Sequence, residues 1–198
     1  MIRLFVGLAL PEETRDRLAA LERPIPGSRW TPSENLHMTL RFIGPVDEAA
    51  AADADAELSR IDAAGFELTL TGVDYFASRS RARVLWVGTK PSDALVELQG
   101  KIERAVQRAG LAPERRKFHA HVTLARLRDV RVDRVVPFVA AHADFRAGPL
   151  LMDRFILYSS SLGRSGSIYT EEVAYGLNAR GPTGRATRAD DDLDATTR

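Results

Sequence analysis

The stretch NLHMTLRFIG, Asn35 to Gly44, decides how this chain is read, because FHAHVTLARL, Phe118 to Leu127, repeats its His-x-Thr-Leu kernel 84 positions later, His37 to His121. Both stretches alternate apolar and polar residues, the period of a β-strand whose successive side chains point to opposite faces. On that period His37, Thr39 and Arg41 share one face, and Met38, Leu40 and Phe42 share the other. In the second stretch His121 and Thr123 stand opposite Val122 and Leu124. The apolar faces can be buried under helices, which leaves the two polar faces free to line a site.

Outward from these kernels the chain divides into two similar halves. An apolar run, IRLFVGLAL, reads as a buried strand ended by Pro11, and PEETRDRLAALER reads as a helix with proline and acids in its first turn. Gly44-Pro45 punctuates the first motif strand, and DEAAAADADAELSRI follows as a helix. FELTLTGVDYFA and RVLWVGTK are two strands joined by an arginine-rich loop. PSDALVELQGKIERAVQRAG places Leu95, Leu98, Ile102, Ala105, Val106 and Ala109 at helical spacing and stops at Gly110. KFHAHVTLARL is again a strand, a weaker helix follows near Asp133 to Ala141, and further strands close the chain. The expected architecture is α+β: two pseudo-symmetric lobes, each a mainly antiparallel sheet with helices outside, facing each other across a central cleft. That domain is expected to span residues 1–178. Residues 179–198, ARGPTGRATRADDDLDATTR, lack an apolar period and read as a disordered polar tail.

Composition excludes several classes of function. The 198 residues carry 28 Lys and Arg against 27 Asp and Glu, a net charge of +1, so no global basic surface announces a long nucleic acid. Any polyanion must be held locally, for which Arg79, Arg81, Arg83, Arg115, Arg116, Lys117, Arg41 and Arg126 are available. The absence of cysteine removes disulfides, thiolate catalysis and cysteine metal sites together. The apolar N-terminal run is too short to span a bilayer and leads into a helix start, not a cleavage site. No membrane association and a cytoplasmic location are expected.

Two imidazoles across a cleft can act as one acid and one base near neutral pH, and a threonine hydroxyl two residues along the same face can donate to a phosphate oxygen between them. This suits in-line displacement at phosphorus without a metal or other cofactor. Zinc held by His37, His119 and His121 is the rival arrangement, but neither motif supplies an Asp, Glu or Cys to complete it. His142 carries no motif and reads as structural or surface.

The two kernels resemble those of the two-histidine (2H) phosphoesterases, and specifically the RNA 2′,3′-cyclic phosphodiesterases, also called 2′-5′ RNA ligases. The resemblance extends from Met1 to about Leu177 through RLFVGLALPEE, RVLWVG around Trp86 and SSSLGRSGSIYTEEVAYGL. It implies a two-lobed α+β fold with His37 as proton donor, His121 as proton acceptor, and Thr39 and Thr123 on the phosphate. Arg41, Arg126 and Tyr169 are candidates for contacting the substrate. One departure is Ala120, where members of the family commonly have proline; His119 matches no catalytic position. The implied reaction is hydrolysis of a 2′,3′-cyclic phosphate on an RNA 3′ end or a nucleotide to a 2′-phosphate, by a monomer. The alternatives are 2′-5′ ligation and a binding module for phosphorylated RNA ends.

Overall fold

The structure is a computed structural model that describes residues 1–163 and 166–178; the expected tail, 179–198, lies outside the described residues. Nine strands are joined in one curled sheet: β1 (Ile2–Ala9), β2 (Ser28–Trp30), β3 (His37–Val46), β4 (Phe66–Ser78), β5 (Arg81–Thr89), β6 (Val122–Arg131), β7 (Arg146–Met152), β8 (Arg154–Leu162) and β9 (Ser167–Gly176). Among the described residues four α-helices accompany them: α1 (Glu12–Ala19), α2 (Glu48–Leu58), α3 (Asp93–Arg108) and α4 (Val136–Ala141).

The strand order is β7-β4-β5-β6-β3-β1-β8-β9, with the short β2 added on β6. It reads the same from the middle outward in both directions. The motif strands β6 and β3 are central, each has one long neighbour, β5 or β1, and two further strands complete each side. All strand pairs are antiparallel, and the two four-stranded halves meet through a single register pair, Met38 opposite Val122. The expected α+β architecture of two pseudo-symmetric lobes is therefore what the chain adopts. The lobes are not successive halves of the sequence, however, because β8 and β9 return to complete the lobe that β1 and β3 began.

Local chemistry explains where the helices begin and end. Asp47 caps α2 by accepting from the amide of Ala50 at 2.8 Å, and Ser92 caps α3 by accepting from Leu95 at 3.2 Å. Gly110, with φ of +80°, takes the left-handed turn that stops α3. Leu95, Leu98, Ile102, Ala105 and Val106 form its buried face and share one core with Met38, Leu40, Val122 and Leu124 from both lobes. Helix α1 stops at Ala19, short of the expected end, where the chain leads toward Pro24 and Pro26. Regular pairing of β6 starts only at Val122, so residues 117–121, expected as strand, lie outside the ladder. Strand β3 runs on through Gly44-Pro45 to Val46.

The two motif strands share a departure from strict alternation. Opposite β1, Val6 faces Arg41 and Gly7 faces Thr39, so Leu40 is an extra residue. Opposite β5, Leu85 faces Ala125 and Trp86 faces Thr123, so Leu124 is extra in the same place. Such a bulge leaves two residues opposite one and turns the following side chains over. Residues 37–42 and 121–126 consequently share one burial pattern, in which Leu40 and Arg41, like Leu124 and Ala125, are both buried while Phe42 and Arg126 emerge. This corrects the sequence expectation for Arg41 and Phe42, which exchange faces.

Turned toward the helices, Arg41 is 6% exposed and pairs through Nε with Glu103 of α3 at 2.5 Å. Its guanidinium also donates to the carbonyls of Phe42 and Ala112. A buried pair of this kind is costly to break and close to neutral to replace as a unit. Arg41→Ala is therefore expected to lower the unfolding free energy by about 3 kcal/mol, whereas Arg41→Met/Glu103→Met stays near wild type, as measured by urea denaturation.

Candidate active site

His37 opens β3 at the edge of the inter-lobe cleft. Its Nδ1 lies 2.7 Å from the carbonyl of Asn35, and its Nε2 lies 3.0 Å from Oγ1 of Thr39. A carbonyl only accepts, so Nδ1 carries the proton in the neutral ring and Nε2 presents its lone pair. Asn35 is itself held across the lobe, its side-chain amide donating to the carbonyl of Ser167 at 2.9 Å. Apolar rings surround the imidazole: Phe5 at 4.9 Å between centroids, and Tyr169 edge-on at 5.2 Å and 86°. Gly7 lies directly beneath on β1. A Cβ there would approach the Met38 carbonyl to 2.9 Å, so the absent side chain lets the β1 backbone pack closely against β3, with the His37 ring in ordinary contact 3.4 Å from that position.

His121 repeats this arrangement on the other lobe. Its Nδ1 lies 2.7 Å from the carbonyl of His119, again the residue two positions earlier, which fixes the same tautomer and leaves Nε2 available. Phe76 stands edge-on to the ring at 5.1 Å and 88°. The His119 ring packs outward against Trp86, at 4.7 Å, and Phe76, at 5.2 Å.

Both imidazoles line one cavity of about 250 Å³ between the lobes, together with Thr39, Thr123, Arg126 and Tyr169. The pKa of each histidine is pushed below its ordinary value. Burial is the largest cause for His37, opposed by the Asn35 carbonyl, with the charges of His121 and Arg126 adding to the depression. For His121 burial again leads, opposed by the His119 carbonyl, with the charges of His119 and Arg126 adding. Neutral imidazoles with unprotonated Nε2 atoms, that of His37 accepting from the Thr39 hydroxyl, beside a guanidinium form a site that can take and give protons at an anion.

Of the residues singled out in the sequence, seven meet in this cavity: His37, His121, Thr39, Thr123, Arg116, Arg126 and Tyr169. Arg41 is not among them, since the bulge turns it to Glu103. His142 is elsewhere, capping the last turn of α4 with Nδ1 at 2.8 Å from the carbonyl of Phe138. Among the described residues no group of three or more His, Asp or Glu side chains is placed to hold a metal ion. Sequence reading missed Phe42 and Phe76 on the cavity wall, and placed Arg116 only among the surface cations. Arg126 held the one available signal. Strict alternation would have buried it beside Val122 and Leu124, an unfavourable place for a lone guanidinium.

Comparison with known proteins places this geometry among relatives. The family model described as LigT like Phosphoesterase matches twice, over residues 8–86 and 87–169. An RNA 2′,3′-cyclic phosphodiesterase of Aeropyrum pernix is 34% identical over 157 residues, covering 78% of this chain and 88% of the relative. The protein of that name from Escherichia coli is 31% identical over 172 residues, covering 85% and 92%. The crystal structure of E. coli LigT complexed with 3′-AMP superposes with a TM-score of 0.75 at 30% identity, covering 89% of this chain and 98% of that one. The two matched segments each hold one His-x-Thr-Leu kernel. Among the described residues no helix is long and apolar enough to cross a membrane.

The depressed histidines couple protonation to stability. On acidification the unfolded chain takes up protons near the ordinary histidine pKa of about 6.5, before the folded imidazoles do, so the native state loses ground as pH falls below that value. Thermal melts from pH 8 to pH 5 are expected to show melting temperature falling across this window, less steeply in His37→Asn/His121→Gln. A melting temperature that rises on acidification contradicts the assignment.

Proposed function

Because this chain belongs to the LigT-like phosphoesterase family, we propose that it hydrolyses the 2′,3′-cyclic phosphate at an RNA 3′ end to a 2′-phosphate, using His37 as acid and His121 as base without a metal. The observation that carries this reading is the matched pair of imidazoles. Each is fixed through Nδ1 on a backbone carbonyl, which leaves Nε2 unprotonated, and both rings line the same cavity. A binding module for phosphorylated ends has no need of two titrating groups so arranged. The names of the relatives and the capture of 3′-AMP by E. coli LigT support a nucleotide substrate.

In the proposed step, neutral His121 accepts a proton from water at Nε2 while the water oxygen forms a bond to phosphorus. The bond from phosphorus to the 3′ oxygen breaks on the opposite side, and the departing oxygen takes the proton held on Nε2 of charged His37. One proton enters at His121 and one leaves from His37, so proton exchange with solvent resets the pair. The hydroxyls of Thr39 and Thr123 and the guanidinium of Arg126 donate to the remaining phosphate oxygens. The depressed pKa of His37 disfavours its charged form in the empty site. A bound phosphate anion beside it counters this, restoring the acid when substrate is present. The assignment of the acid to the 3′ oxygen follows the family resemblance. Every group in this scheme comes from one chain, so we take the working unit to be a monomer, with residues 1–178 as the catalytic domain and 179–198 dispensable.

Purified protein incubated in EDTA with RNA bearing a 2′,3′-cyclic phosphate is expected to yield a 2′-phosphate, identified by phosphorus NMR of the product. His37→Ala and His121→Ala are each expected to lose at least about a hundredfold in turnover. A predominant 3′-phosphate overturns the orientation, loss of activity on chelation overturns the metal-free mechanism, and a near-native rate in either variant removes that histidine.

A further inference from the structure

The 250 Å³ cavity holding the two histidines opens into a larger one of about 620 Å³. Thr39, Phe42, Phe76, Arg116 and His121 line both. A cyclic phosphate with its ribose needs only the first. The second lies within the range of about 300–1,000 Å³ seen for small-molecule sites. Phe42, turned outward by the bulge and 47% exposed, offers its wall a flat ring, and Phe76 and His119 offer two more. Aromatic rings beside cations are what an unpaired nucleotide stacks and rests upon.

The cation at the junction is Arg116, and its position is fixed by a chain of contacts that starts in the core. Arg41, paired with Glu103, donates to the carbonyl of Ala112 at 2.5 Å, while Glu103 accepts from the amide of Glu114 at 3.0 Å. These two contacts hold a segment that has no regular secondary structure between α3 and β6. Glu114 then grips Arg116 three ways, accepting from its amide at 3.0 Å, its Nε at 3.1 Å and its Nη2 at 2.8 Å. The pairing pulls the Glu114 carboxyl down to about 2, so the clamp stays charged across the working pH range. Arg116 is 75% exposed yet held in place. Of the five N–H donors of a guanidinium, two are used on Glu114, which leaves three for a ligand. With Arg115 and Lys117 beside it, the segment remains net positive despite Glu114.

We propose that Arg116 is a specificity-determining residue that contacts the internucleotide phosphate on the 5′ side of the cyclic end, so that the enzyme prefers an RNA chain to a cyclic mononucleotide. This rests on the function proposed above and adds to it. The cyclic phosphate lies among Thr39, Thr123 and Arg126, the terminal nucleotide leads through the junction at Arg116, and the preceding base enters the larger cavity against Phe42 and Phe76. Pre-organisation by Glu114 means that little side-chain freedom is lost when the phosphate arrives.

The test compares kcat/KM for a cyclic mononucleotide with that for a trinucleotide carrying the same terminal base and a 2′,3′-cyclic phosphate. Wild-type protein is expected to favour the trinucleotide by at least about tenfold, as one charge-assisted contact provides. In Arg116→Gln this ratio is expected to collapse, mainly through KM for the trinucleotide, with partial recovery in Arg116→Lys. The dependence of log kcat/KM on log salt for the trinucleotide is also expected to become shallower by about 0.7, the value for one single-strand phosphate. A wild-type ratio near one, or an equal loss on both substrates in Arg116→Gln, overturns the role of Arg116 while leaving the reaction intact. No wild-type turnover of either substrate overturns the reaction itself and this inference with it.

Discussion

A single extra residue after each motif threonine, Leu40 in β3 and Leu124 in β6, governs how the site is built. A strand with two faces has one parity, and the bulge changes that parity between the motif threonine and the residues just beyond it. Before the bulge, His37 and Thr39, and likewise His121 and Thr123, face the cleft. After it, Phe42 and Arg126 do. Without the bulge, Arg126 would enter the apolar layer beside Val122 and Leu124, and Arg41 would leave its buried partner Glu103 for the cavity. The same irregularity on both central strands thus supplies a guanidinium to one wall of the cavity and an aromatic ring to the other.

The imidazoles themselves sit in a balance between burial and hydrogen bonding. Packing His37 against Phe5 and Tyr169 excludes water and disfavours the charged ring, while the Asn35 carbonyl on Nδ1 favours it; burial is the larger effect. His121 is governed by the same opposition. Two rings with depressed pKa values near one another resist being charged together, which suits a pair that must differ by one proton during turnover. Fixing each ring by a backbone carbonyl, and not by a carboxylate, holds the tautomer without raising basicity as far as a charged partner would.

Much of this was legible in the chain because the kernel is short and its chemistry lies within three residues. His-x-Thr places imidazole and hydroxyl on one face whatever follows, and the repeat implied two related lobes. Helix α3 was legible because its apolar residues fall at helical spacing between a serine cap and Gly110. The exchange of Arg41 and Phe42 was not, since alternation over Met38 to Phe42 fits a regular strand as well as a bulged one. The signal was in the other motif, where a regular strand would have buried Arg126. The return of β8 and β9 to the first lobe depends on pairing between residues far apart in sequence, such as Gly7 with Ile156, which local patterning does not encode. Arg116 was seen only as one of many surface arginines, because its clamp depends on Arg41 and Glu103 meeting across elements.

The proposed acid–base chemistry depends most directly on the state of the two imidazoles, which 15N-edited NMR of histidine-labelled protein reads. The prediction is that at pH 8 both His37 and His121 carry their proton on Nδ1 and leave Nε2 bare, and that each becomes charged only below the ordinary histidine pKa of about 6.5. A dominant Nε2–H form in either ring, or a pKa above that value in the free protein, would contradict the assignment of this pair as the matched acid and base.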